Sequence, residues 1–350
     1  MTASRRQFLE TSLLGAAVAG QAKTPPAAPA KLAHEPPLRP NRLQPGDTVG
    51  LISPSRATFL SQDLEIASEL LAAFDLKAKP GKHVLNRYGY LGGRDEERAA
   101  DINELFADKG VAGILAVHGG WGAARVLPYL DYDAIRKNPK VMIGYSDITA
   151  LHTGIHARTG LVSFHAPTGR SRWTSFSADY FRRVVMGAEA LSMTNPTELG
   201  DSLVQLEDRV RTLTPGVARG RLLGGNLTVL TALMGTPYLP DFDGAILVLE
   251  DVEEQLYRID RMMTQLALAG VLKRVAGVVF GKCTKCEPGE NYGSNTLEEI
   301  LNDHVKSLGV PAFEGAMVGH IAKQFTLPIG APVEIDAGKG EIRMLEPAVL

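Results

Sequence analysis

The sequence predicts an α/β protein of two units. The first is built on a doubly wound, mostly parallel sheet; the second is a smaller carboxyl-terminal α/β unit with a β-hairpin, and a functional cleft is expected between them. Three observations carry this expectation. Short, continuously apolar runs such as "VAGILAV" and "KVMIGY" alternate with amphipathic segments, as buried parallel strands alternate with covering helices. Between residues 191 and 218 that rhythm lapses into "NPTELGDS" and "LTPGVARG", the punctuation of a linker. Strand and helix patterns then resume, and 350 residues with 45% hydrophobic content suffice for two cores.

The amino terminus stands apart from this pattern. "SRRQFLETSLLGAAVAGQA" pairs Arg5 with Arg6, adds Phe8 and Leu9, and ends in a weakly apolar run of small residues. This resembles a twin-arginine export signal, although Glu10 stands where Lys is frequent. The run Leu13 to Ala19 is far short of the roughly 20 apolar residues that span a bilayer. Residues 1–30, including the Pro/Ala-rich segment from Thr24, are therefore set aside from the fold. Cleavage after Ala22 or after Ala30 would suit the pattern, and a periplasmic or otherwise exported destination without stable membrane insertion follows.

The first unit is expected over residues 43–190. Thr48 to Ile52 reads as a strand, and Leu64 to Phe74 carries apolar residues at helical spacing. "RDEERAADINELFADKG" reads as a charged surface helix stopped by Gly110, and "VAGILAV", "KVMIGY" and "LVSFHAP" as further strands. In such a sheet ligands gather at the carboxyl ends of the strands. The second unit is expected over residues 219–350. "GAILVLEDV" and "VAGVVFGK" are strands around the helix "EQLYRIDRMMTQLALAG", and "PVEIDAGKGEIRML" is a hairpin turning at Ala337-Gly338-Lys339-Gly340.

Composition narrows the function. A formal charge of -2 without a basic block beyond the amino terminus argues against nucleic acid as a partner and for a small polar substrate. The two cysteines, Cys283 and Cys286, have redox-like C-x-x-C spacing, but no second pair or nearby His completes four zinc ligands. A local disulfide or two inert thiols are the plainer readings. His152 and His156 lie one helical turn apart without the glutamate of H-E-x-x-H, so packing is favoured there over metal. Neither a cofactor nor a metal is expected.

Ser146 comes directly off a strand in "KVMIGYSDITALH", where a following helix turns its N–H groups toward the sheet edge. A nucleophile and an ordinary helix N-cap are both compatible with that position. "HGGWG" places a Gly-Gly turn at the same edge, suited to an oxyanion hole, a phosphate cradle or simply a tight turn. Glu250 and Asp251, ending an apolar strand, are candidates to orient a base, because a charge there needs a partner. His320, in a polar turn, is the candidate base, with His165 as a competitor suited to packing or support.

Taken together, "YLGGRDEERAADINELFAD", "HGGWGAARVLPYLDYDAIRKNPKVMIGYSDITALH", "GLVSFHAP", "GGNLTVLTALMGTPY", "LEDVEEQLYRIDRMMTQL" and "GH" ahead of "LPIG" occur in one order from about Leu43 to the carboxyl end. The set resembles the LD-carboxypeptidases, serine peptidases that include muramoyltetrapeptide carboxypeptidase and the microcin C self-immunity peptidases. The resemblance implies a triad of Ser146, Glu250 and His320, with the N–H groups of Gly120 and Asp147 as oxyanion hole. It implies release of a carboxyl-terminal D-amino acid, such as D-Ala, from murein tetrapeptides, and a tendency to homodimerise. Hydrolysis of acyl- or peptidyl-nucleotides is the related alternative, for which Trp173 offers a stacking face or plain loop packing. A periplasmic small-ligand binding protein is the alternative of another class. Three departures stand out: His118 where the family often has Arg, the acidic "EDVEEQ", and "GHI" in the turn bearing His320.

Overall fold

The computed structural model describes residues 36–199, 201–289 and 293–350; the expected export signal lies outside them. In the first unit, strands β1 (Thr48–Ile52), β2 (Lys77–Pro80), β3 (Gly113–Ala116), β4 (Val141–Gly144) and β5 (Ser163–His165) pair in parallel in the order β5-β4-β3-β1-β2. The apolar runs became the central strands because both faces are covered: every residue of β3 and β4 is buried. Helices α1 (Ser61–Ala72), α2 (Asp95–Ala107), α3 (Tyr132–Lys137) and α4 (Thr149–Thr159) connect them, and α5 (Ser175–Phe181) follows β5. Helix α2 is less of a surface helix than its charge implies, since Arg98 and Asp101 are buried within it. Strand order reverses between β1 and β3, so their carboxyl ends diverge and open a crevice.

The second sheet draws on more of the chain than expected. Strands β6 (Ser192–Met193) and β7 (Arg211–Thr214) and the start of β8 (Val217–Asn226) occupy the segment 191–218 that reads as a linker. With β9 (Ile246–Val252), β10 (Gly277–Thr284), β11 (Ala312–Glu314), β13 (Pro332–Asp336) and β14 (Glu341–Met344) they form one mixed sheet, ordered β6-β14-β13-β8-β9-β10-β11-β7. Its centre, β8-β9-β10-β11, is parallel, and the flanking pairs are antiparallel. The expected hairpin is β13–β14, closing at Asp336 and Glu341. Strand β12 (Leu327–Ile329) returns to the first sheet, antiparallel to β5. The sheets are therefore interleaved in sequence rather than divided at one boundary.

They also share a core. Val117, Ile143 and Phe164 of the first unit lie in one buried cluster with Leu222, Val248 and Val333 of the second. Continuous apolar contact of this kind resists the sliding that is usual between loosely joined domains. Thr149 Oγ1 at the start of α4 accepts from Asn226 N at the end of β8 (2.9 Å), tying the carboxyl ends of the two sheets together. The helix predicted from "EQLYRIDRMMTQLALAG" is α7 (Leu256–Leu268), following α6 (Leu227–Ala232) after β8. Cys283 and Cys286 are joined in a disulfide. His152 and His156 are packed: His152 bonds Ser163 Oγ (2.8 Å) and Gly144 O (2.9 Å), and His156 bonds Leu161 O (3.1 Å). Burial pushes them down to about 3 and about 4, holding both neutral. Among the described residues no group of ligating side chains is arranged for a metal ion, and no helix is long and apolar enough to cross a membrane.

Candidate active site

Strand β4 ends at Gly144, and two residues later Ser146 opens a short 3₁₀ turn, Ser146–Ile148, ahead of α4. Its backbone is left-handed, φ 62°, a conformation that costs an L-residue roughly 1 kcal/mol or more. No side-chain cap bond is made at the start of either the turn or α4, so the helix-start reading of Ser146 is not what the fold uses. Its Oγ instead lies 2.9 Å from His320 Nε2.

His320 sits in the loop between β11 and β12, and its other ring nitrogen, Nδ1, is 2.8 Å from Glu250 Oε2. With Glu250 ionised, Nδ1–H donates to the carboxylate, which leaves the Nε2 lone pair facing the Ser146 hydroxyl. Gly319 makes the approach possible: a β-carbon there would stand 3.0 Å from Glu250 Oε2, and its φ of 123° disfavours any side chain. Tyr145 packs against the imidazole, with ring centroids 4.9 Å apart.

Successive residues of β9 point to opposite faces, and this separates the two candidate carboxylates. Glu250 turns toward His320 and is fully buried. Burial acts to raise its pKa, but interaction with His165 and His320 outweighs this and holds it well below the ordinary carboxylate range. His165 Nε2 is 4.0 Å from Glu250 Oε1, the carboxylate oxygen that His320 does not use. Asp251 faces the other way, accepting from Asn226 Nδ2 (3.1 Å), Thr228 N (3.0 Å), Thr228 Oγ1 (2.8 Å) and Val252 N (2.9 Å). It fixes the start of α6; burial, helped by the neighbouring Glu250, raises it to about 6.

The Gly-Gly turn after β3 presses against the serine, since a β-carbon at Gly119 would come within 3.0 Å of Ser146 Cβ. Gly120 follows at φ 118° and lines the same cleft. Asp147 is buried, and its side chain accepts from Ala123 N (2.8 Å), leaving only its main chain beside the serine. The cleft, about 780 Å³, runs from Arg56, His118 and Arg170 at the β1/β3 crevice past Ser146 and His320 to Val252, Glu253 and Glu254. Arg56 and Tyr145 went unnoticed in the sequence, although both stand just past strand ends, where side chains of a parallel sheet reach ligands. Trp173 is not in the cleft; its ring packs on Phe74 and Phe181, and Nε1 donates to Thr168 O (2.9 Å).

A hydroxyl, an imidazole and a buried carboxylate aligned in a cleft between two α/β sheets is an arrangement of hydrolases. This chain belongs to the LD-carboxypeptidase family: residues 49–166 match its N-terminal domain and residues 219–335 its C-terminal domain. A Bacillus subtilis relative named probable murein peptide carboxypeptidase is 38% identical over 302 residues, 86% of this chain and 92% of that protein. Among solved structures, the microcin C7 self-immunity protein MccF, in complex with glutamyl sulfamoyl guanosine, superposes with a TM-score of 0.80 at 28% identity, covering 90% of this chain and 100% of that one. Muramoyltetrapeptide carboxypeptidase from Oxalobacter formigenes gives 0.72 at 26% identity, covering 85% and 97%. The chain is thus a carboxypeptidase-family hydrolase.

Proposed function

We propose that the protein is a serine-type LD-carboxypeptidase that removes a carboxyl-terminal D-amino acid from murein tetrapeptides. The observation that carries this reading is the single imidazole of His320 spanning Ser146 Oγ at 2.9 Å and Glu250 Oε2 at 2.8 Å. The names of the relatives support murein peptides as substrate. In the first step His320 Nε2 takes the Ser146 proton as Oγ attacks the carbonyl of the L,D-peptide bond. The N–H groups of Gly120 and Asp147 hold the oxyanion, and Glu250 steadies the imidazolium. His320 then gives the proton to the departing amine, the C–N bond breaks, and an acyl-serine remains. Water, deprotonated by His320, attacks that ester and releases the shortened peptide. The left-handed backbone of Ser146 supports this role, since strain of that kind gathers at reacting residues.

Mass spectrometry of products from a defined tetrapeptide tests the proposal. Wild type should yield tripeptide and free D-Ala, and Ser146→Ala should lower kcat by ~10⁴–10⁶ with the fold intact. Tripeptide formed by the Ala variant at the wild-type rate would refute it. The likeness to MccF favours, as second reading, hydrolysis of acyl- or peptidyl-nucleotides. Trp173 is engaged with Phe74 and Phe181 and offers the cleft no stacking face, whereas Trp121 lines the cleft and is exposed. Paired arginines ahead of an Ala/Gly-rich run support export as the setting for a murein peptide substrate.

A further inference from the structure

The cleft is lined by many charges, and nearly all of them are spoken for. On the wall formed by the second unit, Asp251 accepts four hydrogen bonds, Glu253 pairs with Lys285 (2.8 Å), and Glu254 lies 3.6 Å from Arg258. On the opposite wall, Arg170 Nε donates to Asp63 Oδ1 at 2.6 Å. Arg56 differs. Its guanidinium pairs with no carboxylate among the described residues; its side chain makes one hydrogen bond, Nη2 donating to His118 Nδ1 at 2.9 Å.

That bond requires an unprotonated Nδ1, so the ring proton is on Nε2, which donates to Asp63 Oδ2 at 3.2 Å. His118 is buried, and burial followed by the charge of Arg56 lowers its pKa, consistent with a neutral ring. Asp63, itself held by Arg170, thus fixes a histidine tautomer, and the histidine fixes a guanidinium without neutralising it. The stem of Arg56 lies along the Gly-Gly turn: a β-carbon at Gly120 would meet Arg56 Cβ at 2.9 Å. A full positive charge is therefore held at the β1/β3 crevice, next to the proposed oxyanion glycine and open to the cleft.

We infer that Arg56 is the carboxylate-binding residue of the cleft, pairing with the free α-carboxylate of the residue that leaves, and that His118 and Asp63 are positioning residues that aim it. The inference rests on the proposed peptidase reading and deepens it, since a planar guanidinium with unused N–H groups matches a carboxylate bidentately. It accounts for removal of one terminal residue rather than internal cleavage: an internal peptide carries no charge at that point. The side chain at position 118 serves here as the support of a cation supplied from the end of β1.

The test compares one tetrapeptide with its carboxyl-terminal amide. Wild type should favour the free acid in kcat/KM by ~10-fold or more, as expected for a charge-assisted pair formed on an exposed guanidinium. Arg56→Gln should lose most of that preference by raising KM on the acid far more than on the amide, with an unchanged thermal unfolding midpoint showing that the variant is folded. Arg56→Lys should restore part of the preference, and His118→Leu should weaken it, again by raising KM on the acid more than on the amide. If Arg56→Gln keeps the full acid preference, the inference is overturned and the peptidase reading stands. If His118→Leu keeps it, the positioning role falls. If wild type cuts neither peptide, the peptidase reading fails and the inference with it.

Discussion

His320 Nδ1 and Glu250 Oε2 are 2.8 Å apart, and the carboxylate is wholly buried while the imidazole keeps contact with the cleft. A desolvated carboxylate is tolerated there because imidazoles stand near both of its oxygens, His320 at Oε2 and His165 at Oε1. It serves the imidazole in turn by fixing its tautomer.

Glu250→Gln should therefore lower kcat by ~10²–10⁴, since the amide keeps the shape but cannot stabilise an imidazolium. Stability should show a pH signature as well. The folded pKa of Glu250 lies below the ordinary value of 4.5, held at about 2. Its contribution is accordingly complete above pH 4.5 and lost as pH falls from there toward 2. Urea unfolding of wild type and Glu250→Gln at pH 6 and pH 3 checks this. The advantage of wild type should shrink at the lower pH, and an advantage unchanged between the two would contradict the ionised, paired carboxylate.

In Ser146 the proposed nucleophile carries a conformational cost. At φ 62° a glycine would be at ease where serine and alanine are not. Ser146→Gly and Ser146→Ala should both be inactive, yet the Gly variant should be the more stable, by ~1 kcal/mol, because relief of the left-handed backbone exceeds the added freedom of the unfolded chain. Parallel urea titrations of the two variants decide the matter. An Ala variant at least as stable as the Gly variant would mean that the strand end imposes no strain.

What could be read from the sequence followed from burial. β3, β4 and the first halves of β9 and β10 were legible because strand segments covered on both faces are continuously apolar, and the hairpin because "DAGKGE" spells its own turn. β2, "KAKP", was not: it is a largely exposed edge strand, and polar residues suit an edge. β6 and β7 were hidden in apparent linker because each is an edge whose partner is remote in sequence. The site was legible in its parts and not in its assembly. Locally Ser146 reads equally as a helix cap or a reacting group, since the histidine it meets, His320, lies 174 residues away. Arg56 was passed over because nothing near it in sequence marks Asp63 and His118 as the pair that aims it.

The close approach of Gly319 to Glu250 gives the last prediction. A β-carbon at 319 would lie 3.0 Å from Glu250 Oε2 and 3.1 Å from Lys282 O, in a backbone conformation with φ 123° that alanine rarely adopts. Lys282 N also donates to Val318 O (2.8 Å), so the loop is tied to the same strand that the β-carbon would press against and cannot back away freely. The relief available to Gly319→Ala is a shift of His320 relative to both of its partners. Displacement of a few tenths of an ångström is enough to spoil a proton relay while leaving the peptide's contacts with the cleft unchanged. Gly319→Ala should therefore lower kcat about 10-fold or more with KM within about threefold, and lower stability by ~1–3 kcal/mol. Steady-state kinetics on the tetrapeptide and thermal unfolding measure the two effects. Wild-type kcat in a stably folded Ala variant would show that the loop has room to spare and that the glycine is not what brings the imidazole to its carboxylate.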